Sequence, residues 1–192
     1  LLIGNHSGNT FAYDAAMLAM AMLMEAEPPR LVRGMAEYYL PQLPFFGTLM
    51  HRSGSVVGTP ENCIQLLEQD EAVMVFPEGA EGFVKPFHKR YQLQQFGQGF
   101  MRLALETGAP IVPVGIVGSE EQQPGLVNFE KLGRSIGLPS LPITLTAPWF
   151  GPLGYAAALP VKYRMYFGEP MFPDGEPHEE DAVIERTVNA VQ

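Results

Sequence analysis

The chain has 192 residues, 46% of them apolar, a formal net charge of −9 and a single cysteine. That length makes one domain able to bury roughly 70% of its unfolded surface. The acidic balance argues against wholesale nucleic-acid binding, and Cys63 alone excludes an internal disulfide and a cysteine metal cluster, which fits a reducing, cytoplasmic setting.

In chain order, Leu1–Gly4 is short and apolar, the signature of a buried strand that delivers His6 to its C-terminal end. From about Phe11 to Glu25 the residues are mostly Ala, Leu and Met, good helix formers, and Pro28-Pro29 ends the run. Arg30–Met35 reads as a second strand, and Tyr38–Phe46, broken by Pro41 and Pro44, as irregular or interrupted helix. Thr59-Pro60-Glu61 is a helix start, with Thr as N-cap and Pro at the first helical position. That helix directs Ile64, Leu66 and Leu67 inward. Ala72–Phe76 follows as a strand. Gly97–Thr107 is helical with Phe100, Leu103 and Ala104 facing the core and Gly108 as its stop. Ile111–Val117 is an apolar strand carrying one proline. Gly125–Pro160 shows little periodicity, whereas Val161–Phe167 alternates as a half-exposed strand.

Helices alternating with short strands predict a single-domain α/β fold with a mixed, largely parallel sheet flanked by helices. The chain opens as if a strand were already under way and stops inside a helical pattern, so residues 1–192 read as one domain truncated at both ends. The run from Ala15 to Met24 is about half the ~20 residues a membrane-spanning helix needs, which leaves any anchor to sequence upstream. The methionines of that run, Met17, Met20, Met22 and Met24, suit an acyl-chain tunnel or, more simply, core packing. The apolar stretch around Trp149, Phe150 and Tyr155 has three readings: core, acyl groove or bilayer interface.

Two short segments carry chemistry. Asn5-His6-Ser7-Gly8-Asn9-Thr10-Phe11-Ala12-Tyr13-Asp14 offers a base and a carboxylate to orient it. Acyl transfer to an alcohol needs a base near neutral pH for the hydroxyl proton, and a partner that fixes the imidazole tautomer. A continuous helix would hold His6 and Asp14 about 12 Å apart, so the Gly8-Asn9-Thr10 stretch must turn back. Asn9 and Thr10 are fallback partners, and a solvated helix-start Asp14 is the simpler alternative. About 60 residues on, Phe76-Pro77-Glu78-Gly79 ends a strand, with Glu78 projecting into the crevice where α/β sheets bind ligands.

These blocks, in this order and separation, resemble the glycerolipid acyltransferases, the family that includes 1-acylglycerol-3-phosphate acyltransferase. The resemblance runs from Asn5 to about Gly118 and includes Ile111-Val112-Pro113-Val114-Gly115 as a fourth block. It departs in two places. The family places four residues between its His and Asp where this chain has seven, and Ala80-Glu81 stands where the family has a small hydroxylated residue and an arginine.

The resemblance implies His6 as general base held by Asp14, with Glu78 and Gly79 positioning the acceptor's glycerol portion and Arg52 meeting acceptor phosphate. Lys85, His88, Lys89 and Arg90 form the densest cationic cluster, facing substrate phosphate, coenzyme A or an anionic membrane surface, or forming a solvated loop. Acyl-coenzyme A or acyl carrier protein is the implied co-substrate, with no metal or bound cofactor. The implied partners are a lipid acceptor, a thioester donor and a peripheral contact with the cytoplasmic face of a membrane. A non-catalytic lipid-binding or scaffold protein with the same fold is the alternative. Gly133-Arg134-Ser135-Ile136-Gly137 mimics a serine-hydrolase elbow, but the Leu138-Pro139-Ser140-Leu141-Pro142 that follows breaks the helix this elbow needs.

Overall fold

The computed structural model describes residues 1–8, 11–42, 46–135, 140–155 and 157–192. A six-stranded sheet forms the centre, built from β1 (Leu2–Gly4), β2 (Val32–Ala36), β3 (Val56–Val57), β4 (Ala72–Val75), β5 (Val112–Val117) and an eighth strand, Arg164–Phe167. A separate antiparallel hairpin pairs β6 (Gly125–Phe129) with β7 (Leu141–Thr144), which makes Arg164–Phe167 β8. The order across the sheet is β3-β2-β4-β1-β5-β8. All neighbours run parallel except β8, which lies antiparallel on β5 with Gly115 opposite Tyr166. The largely parallel sheet flanked by helices is therefore as the sequence predicts.

Period-two alternation sorts the apolar residues into two layers. Leu1, Ile3 and Val73 pack on one face with α3 (Pro60–Glu68), α5 (Gly99–Thr107) and the C-terminal helix Asp181–Val191. Leu2, Met74, Val114 and Ile116 face the other way, onto Leu18 of α1 (Tyr13–Met24). Local signals set the helix ends: Thr59 accepts a hydrogen bond from the Asn62 amide at 3.1 Å, and Gly108 caps α5 at φ +67°. The residue α3 buries completely is Cys63, with Leu66 and Leu67 packed partly against the core. Burial raises the Cys63 thiol above its ordinary range. The expected irregular stretch contains a short 3-10 turn at Leu40–Gln42, followed by α2 (Phe46–Ser53); Pro44 lies outside the described residues.

Three expectations change. The region 125–160 is not shapeless: it holds the β6–β7 hairpin and the short helices α7 (Glu130–Ser135) and α8 (Ala147–Phe150), around a further turn. The hairpin was missed because its outer side chains are apolar too: Leu126, Val127 and Phe129 are exposed, which erases the alternation. Of the four methionines of α1, Met22 packs against the core beside buried Leu18, whereas Met17, Met20 and Met24 are 41%, 48% and 72% exposed. Trp149 and Phe150 are exposed as well, which sets aside the core reading for these two side chains. The remaining helices are α4 (Gly79–Phe83), α6 (Ser119–Gln122) and α9, the C-terminal Asp181–Val191. Among the described residues, no helix is long and apolar enough to cross a membrane.

Candidate active site

Strand β1 sits between β4 and β5, and its C-terminal end opens into the crevice between the turns that follow its neighbours. The chain leaves β1 through Asn5, whose side chain extends the sheet. Its Nδ2 donates to the Ile116 carbonyl at 2.9 Å, and its Oδ1 accepts from the Ile116 amide at 2.6 Å. The next residue is His6. Its backbone amide donates to Glu78 Oε1 at 3.0 Å. Adjacent residues are thus fastened to opposite neighbours, Asn5 to β5 and His6 to the turn after β4.

His6 Nδ1 and Asp14 Oδ2 are 2.7 Å apart. The same Oδ2 accepts from the Ser7 amide at 2.7 Å, and Oδ1 accepts from the Ala15 amide at 2.9 Å. Asp14 is fully buried, whereas the His6 side chain keeps 15% of its surface. The seven-residue spacing closes because α1 begins only at Tyr13 and the preceding loop turns through Gly8 at φ +144°. A Cβ on Gly8 would come within 2.6 Å of the Phe11 carbonyl oxygen, so glycine is required by both conformation and space. Asn9 and Thr10, the fallback partners, lie outside the described residues.

The imidazole packs against two rings, Phe76 at 4.4 Å between centroids and 18° between planes, and Phe83 at 4.8 Å and 32°. With Nδ1 donating to a carboxylate, a neutral imidazole keeps its lone pair on Nε2, the tautomer a general base requires. Beneath the dyad, Ser7 and Ser119 are both buried and their hydroxyls hydrogen-bond to each other.

Glu78 reaches the site differently from the crevice-facing expectation. It is 5% exposed, and its second oxygen accepts from the Gln94 amide at 2.7 Å. The carboxylate bridges the His6 loop to the Gln94 loop. Gly82 backs it closely, since a Cβ there would meet Glu78 atoms within 3.0 Å or less. Gly79 has φ +56° and open space where a side chain would stand, so backbone conformation rather than crowding calls for glycine.

Lys85 points inward. Its ammonium lies 2.7 Å from Glu120 Oε1 and donates to the Gln92 carbonyl at 2.7 Å, with the side chain 4% exposed. It thereby leaves the cationic cluster, of which His88, Lys89 and Arg90 remain exposed. Arg90 lies over the rings of Phe87 and Tyr91. Arg52 is exposed in the last turn of α2, beside edge strand β3, and among the described residues its side chain makes no ion pair. The structure therefore gathers His6, Asp14, Glu78 and Gly79 at one strand end, encloses Lys85 against Glu120, and leaves Arg52 exposed in the last turn of α2. Sequence reasoning missed Asn5 as a fastener and Phe83 as a stacking partner. Asn5 beside a catalytic-looking His at a strand end was the available signal. Ser135 ends α7 and donates to the Leu132 carbonyl, which is not a strand-to-helix elbow; Ile136 and Gly137 lie outside the described residues.

Residues 1–117 match the family model described as Acyltransferase. An uncharacterized protein of Mycobacterium tuberculosis is 41% identical over 172 residues, covering 89% of this chain and 48% of the relative. A human relative, the DGAT1/2-independent enzyme synthesizing storage lipids, is 25% identical over 163 residues, covering 85% of this chain and 47% of the relative. The chain spans about half the length of these curated relatives. The fold resembles the crystal structure of the 1-acyl-sn-glycerophosphate acyltransferase PlsC from Thermotoga maritima, with a TM-score of 0.57 at 18% identity, over 99% of this chain and 61% of that one.

Proposed function

The chain belongs to the acyltransferase family, and we propose that it transfers a fatty acyl group from a thioester of coenzyme A or acyl carrier protein to a hydroxyl of a glycerolipid or related lipid. The observation that carries this reading is the 2.7 Å contact between His6 Nδ1 and a buried Asp14, with the imidazole still partly exposed. The relatives' names, a glycerophosphate acyltransferase and an enzyme synthesizing storage lipids, support a lipid acceptor.

In this mechanism the acceptor hydroxyl is the nucleophile. As its oxygen attacks the thioester carbonyl, His6 Nε2 takes the hydroxyl proton and Asp14 stabilises the resulting imidazolium. Collapse of the tetrahedral intermediate breaks the carbon–sulfur bond, and the imidazolium returns the proton to the departing thiolate. Glu78 is a positioning residue that holds the His6 backbone, and Gly79 leaves open space beside it for the acceptor. Arg52, exposed and without an ion pair among the described residues, is available to an anionic head group. Lys85 secures the loop rather than the substrate. The protein works at a membrane surface, where its acceptor resides.

The test is coenzyme A release from long-chain acyl-coenzyme A with phosphorylated and neutral acceptors, comparing the parent with His6→Ala. Acceptor-dependent release lost in the folded variant supports the reading. Equal release from both would remove His6 from the mechanism, and silence from folded parent protein across the panel would favour a non-catalytic lipid-binding role.

A further inference from the structure

The residues between Lys131 and Gly168 are anomalous in charge. The chain holds 21 acidic and 12 basic residues, yet this segment contains Lys131, Arg134, Lys162 and Arg164 and not one Asp or Glu. It also carries the most exposed large apolar side chains of the hairpin region: Trp149, Phe150 and Leu153 are 80%, 62% and 76% exposed. Such a cluster at a single turn is costly in water unless something covers it.

The two features share an anchor. The turn holding Trp149 is tied to the body by Gln123 Nε2, which hydrogen-bonds the Tyr155 carbonyl. The segment leading to Lys162 is tied to the adjacent Gln122, whose carbonyl accepts from the Leu159 amide at 2.9 Å and whose side chain accepts from the Tyr163 hydroxyl. The other end of the hairpin reaches the active site, because Asn128, paired with Pro142, donates through Nδ2 to the carbonyl of Val84, the residue after Phe83 on the His6 ring. An exposed aromatic turn in a stretch of chain that carries cations and no acid fits a bilayer interface. Trp favours the headgroup boundary, and each nearby Lys or Arg adds about 1 kcal/mol on an anionic surface.

We propose that the turn bearing Trp149, Phe150 and Leu153, together with Lys131, Lys162 and Arg164 of the same acid-free segment, docks the protein on anionic lipid surfaces. This deepens the reading of a lipid acceptor met at a membrane and rests on it, but it is tested separately from catalysis.

Trp149 is the chain's single tryptophan and so a built-in reporter. Its emission is expected to shift to shorter wavelength on adding equimolar phosphatidylcholine–phosphatidylglycerol vesicles and to recover at high salt. Cosedimentation with the same vesicles is expected to weaken about fivefold for each of Lys131, Lys162 and Arg164 changed to Gln. It should be lost in W149A/F150A/L153A, while that variant keeps the parent's acyl transfer to acceptors dispersed in detergent. Parent-level vesicle binding by the triple variant, or an unshifted Trp149 on these vesicles, overturns the assignment. So does burial of Trp149 by self-association without lipid, which would give this face to a second copy. A parent protein that binds these vesicles but is inactive on dispersed acceptors would instead count against the catalytic reading and leave the docking surface standing.

Discussion

Asp14 Oδ2 holds two donors at once, the imidazole Nδ1 of His6 and the backbone amide of Ser7, each at 2.7 Å. One buried oxygen thus fixes both the ring of the candidate base and the backbone of the residue after it. With Ala15 satisfying the other oxygen, the carboxylate has three partners, enough to compensate for its removal from water.

Asp14→Asn tests that arrangement. An amide cannot accept from all three donors, and it lets the imidazole turn or change tautomer. Acyl transfer should fall by roughly 10²- to 10⁴-fold, while the unsatisfied backbone donor costs about 1–3 kcal/mol. Steady-state rates and a thermal melt on the same preparation separate these effects. A variant within threefold of the parent's rate would contradict the dyad.

Glu78 offers a test between positioning and acceptor contact. Because it bridges the amides of His6 and Gln94, Glu78→Gln, which retains one accepting oxygen, should lower kcat and leave the acceptor KM nearly unchanged. Glu78→Ala orphans both amides and should destabilise the fold by about 2–5 kcal/mol. A rise in acceptor KM with kcat preserved in Glu78→Gln would instead place the carboxylate against the glycerol portion.

The two left-handed glycines should respond unequally. Gly79→Ala meets no neighbouring atom, so its cost is conformational, about 1–2 kcal/mol. Gly8→Ala drives a Cβ to 2.6 Å from the Phe11 carbonyl oxygen, which forces the loop between His6 and Asp14 to move. It should lose both more stability and more activity. Equal melting temperatures for the two variants would show that the Gly8 loop relaxes freely.

Lys85 and Glu120 form a nearly enclosed pair, 4% and 11% exposed. Lys85→Ala strands the Glu120 carboxylate and should destabilise the protein by about 3–5 kcal/mol. Lys85→Met with Glu120→Leu should recover most of that loss, as judged by denaturant titration. A melt unchanged by Lys85→Ala, with binding of an anionic substrate weakened, would return Lys85 to the substrate.

Much of the fold was legible because it rests on local chemistry. Thr59-Pro60 starts α3, Gly108 stops α5, and β-branched Val73 and Val75 lie in a strand. These signals act within a few residues, as does the alternation that places Leu1 and Ile3 opposite Leu2. The candidate dyad was legible for the same reason: a His after an apolar strand and an Asp in the first turn of a helix can meet if the loop between them turns, and Gly8 lets it turn.

The rest was decided across the sheet. Nothing near Glu78 in sequence says that its oxygens serve His6, 72 residues earlier, and Gln94, 16 residues later. Lys85 looks like its cationic neighbours until Glu120 approaches from α6, just after β5. The exposure of Met17, Met20 and Trp149 is likewise a tertiary result, since an apolar residue reads the same whether the fold covers it or leaves it out. The strands of the main sheet, the strand end and the candidate His6–Asp14 pair could be read along the chain, because propensity and short-range closure act locally. Only the tertiary structure decided which carboxylates brace, which cation is enclosed and which apolar faces stay uncovered, because burial and charge pairing depend on what arrives from elsewhere.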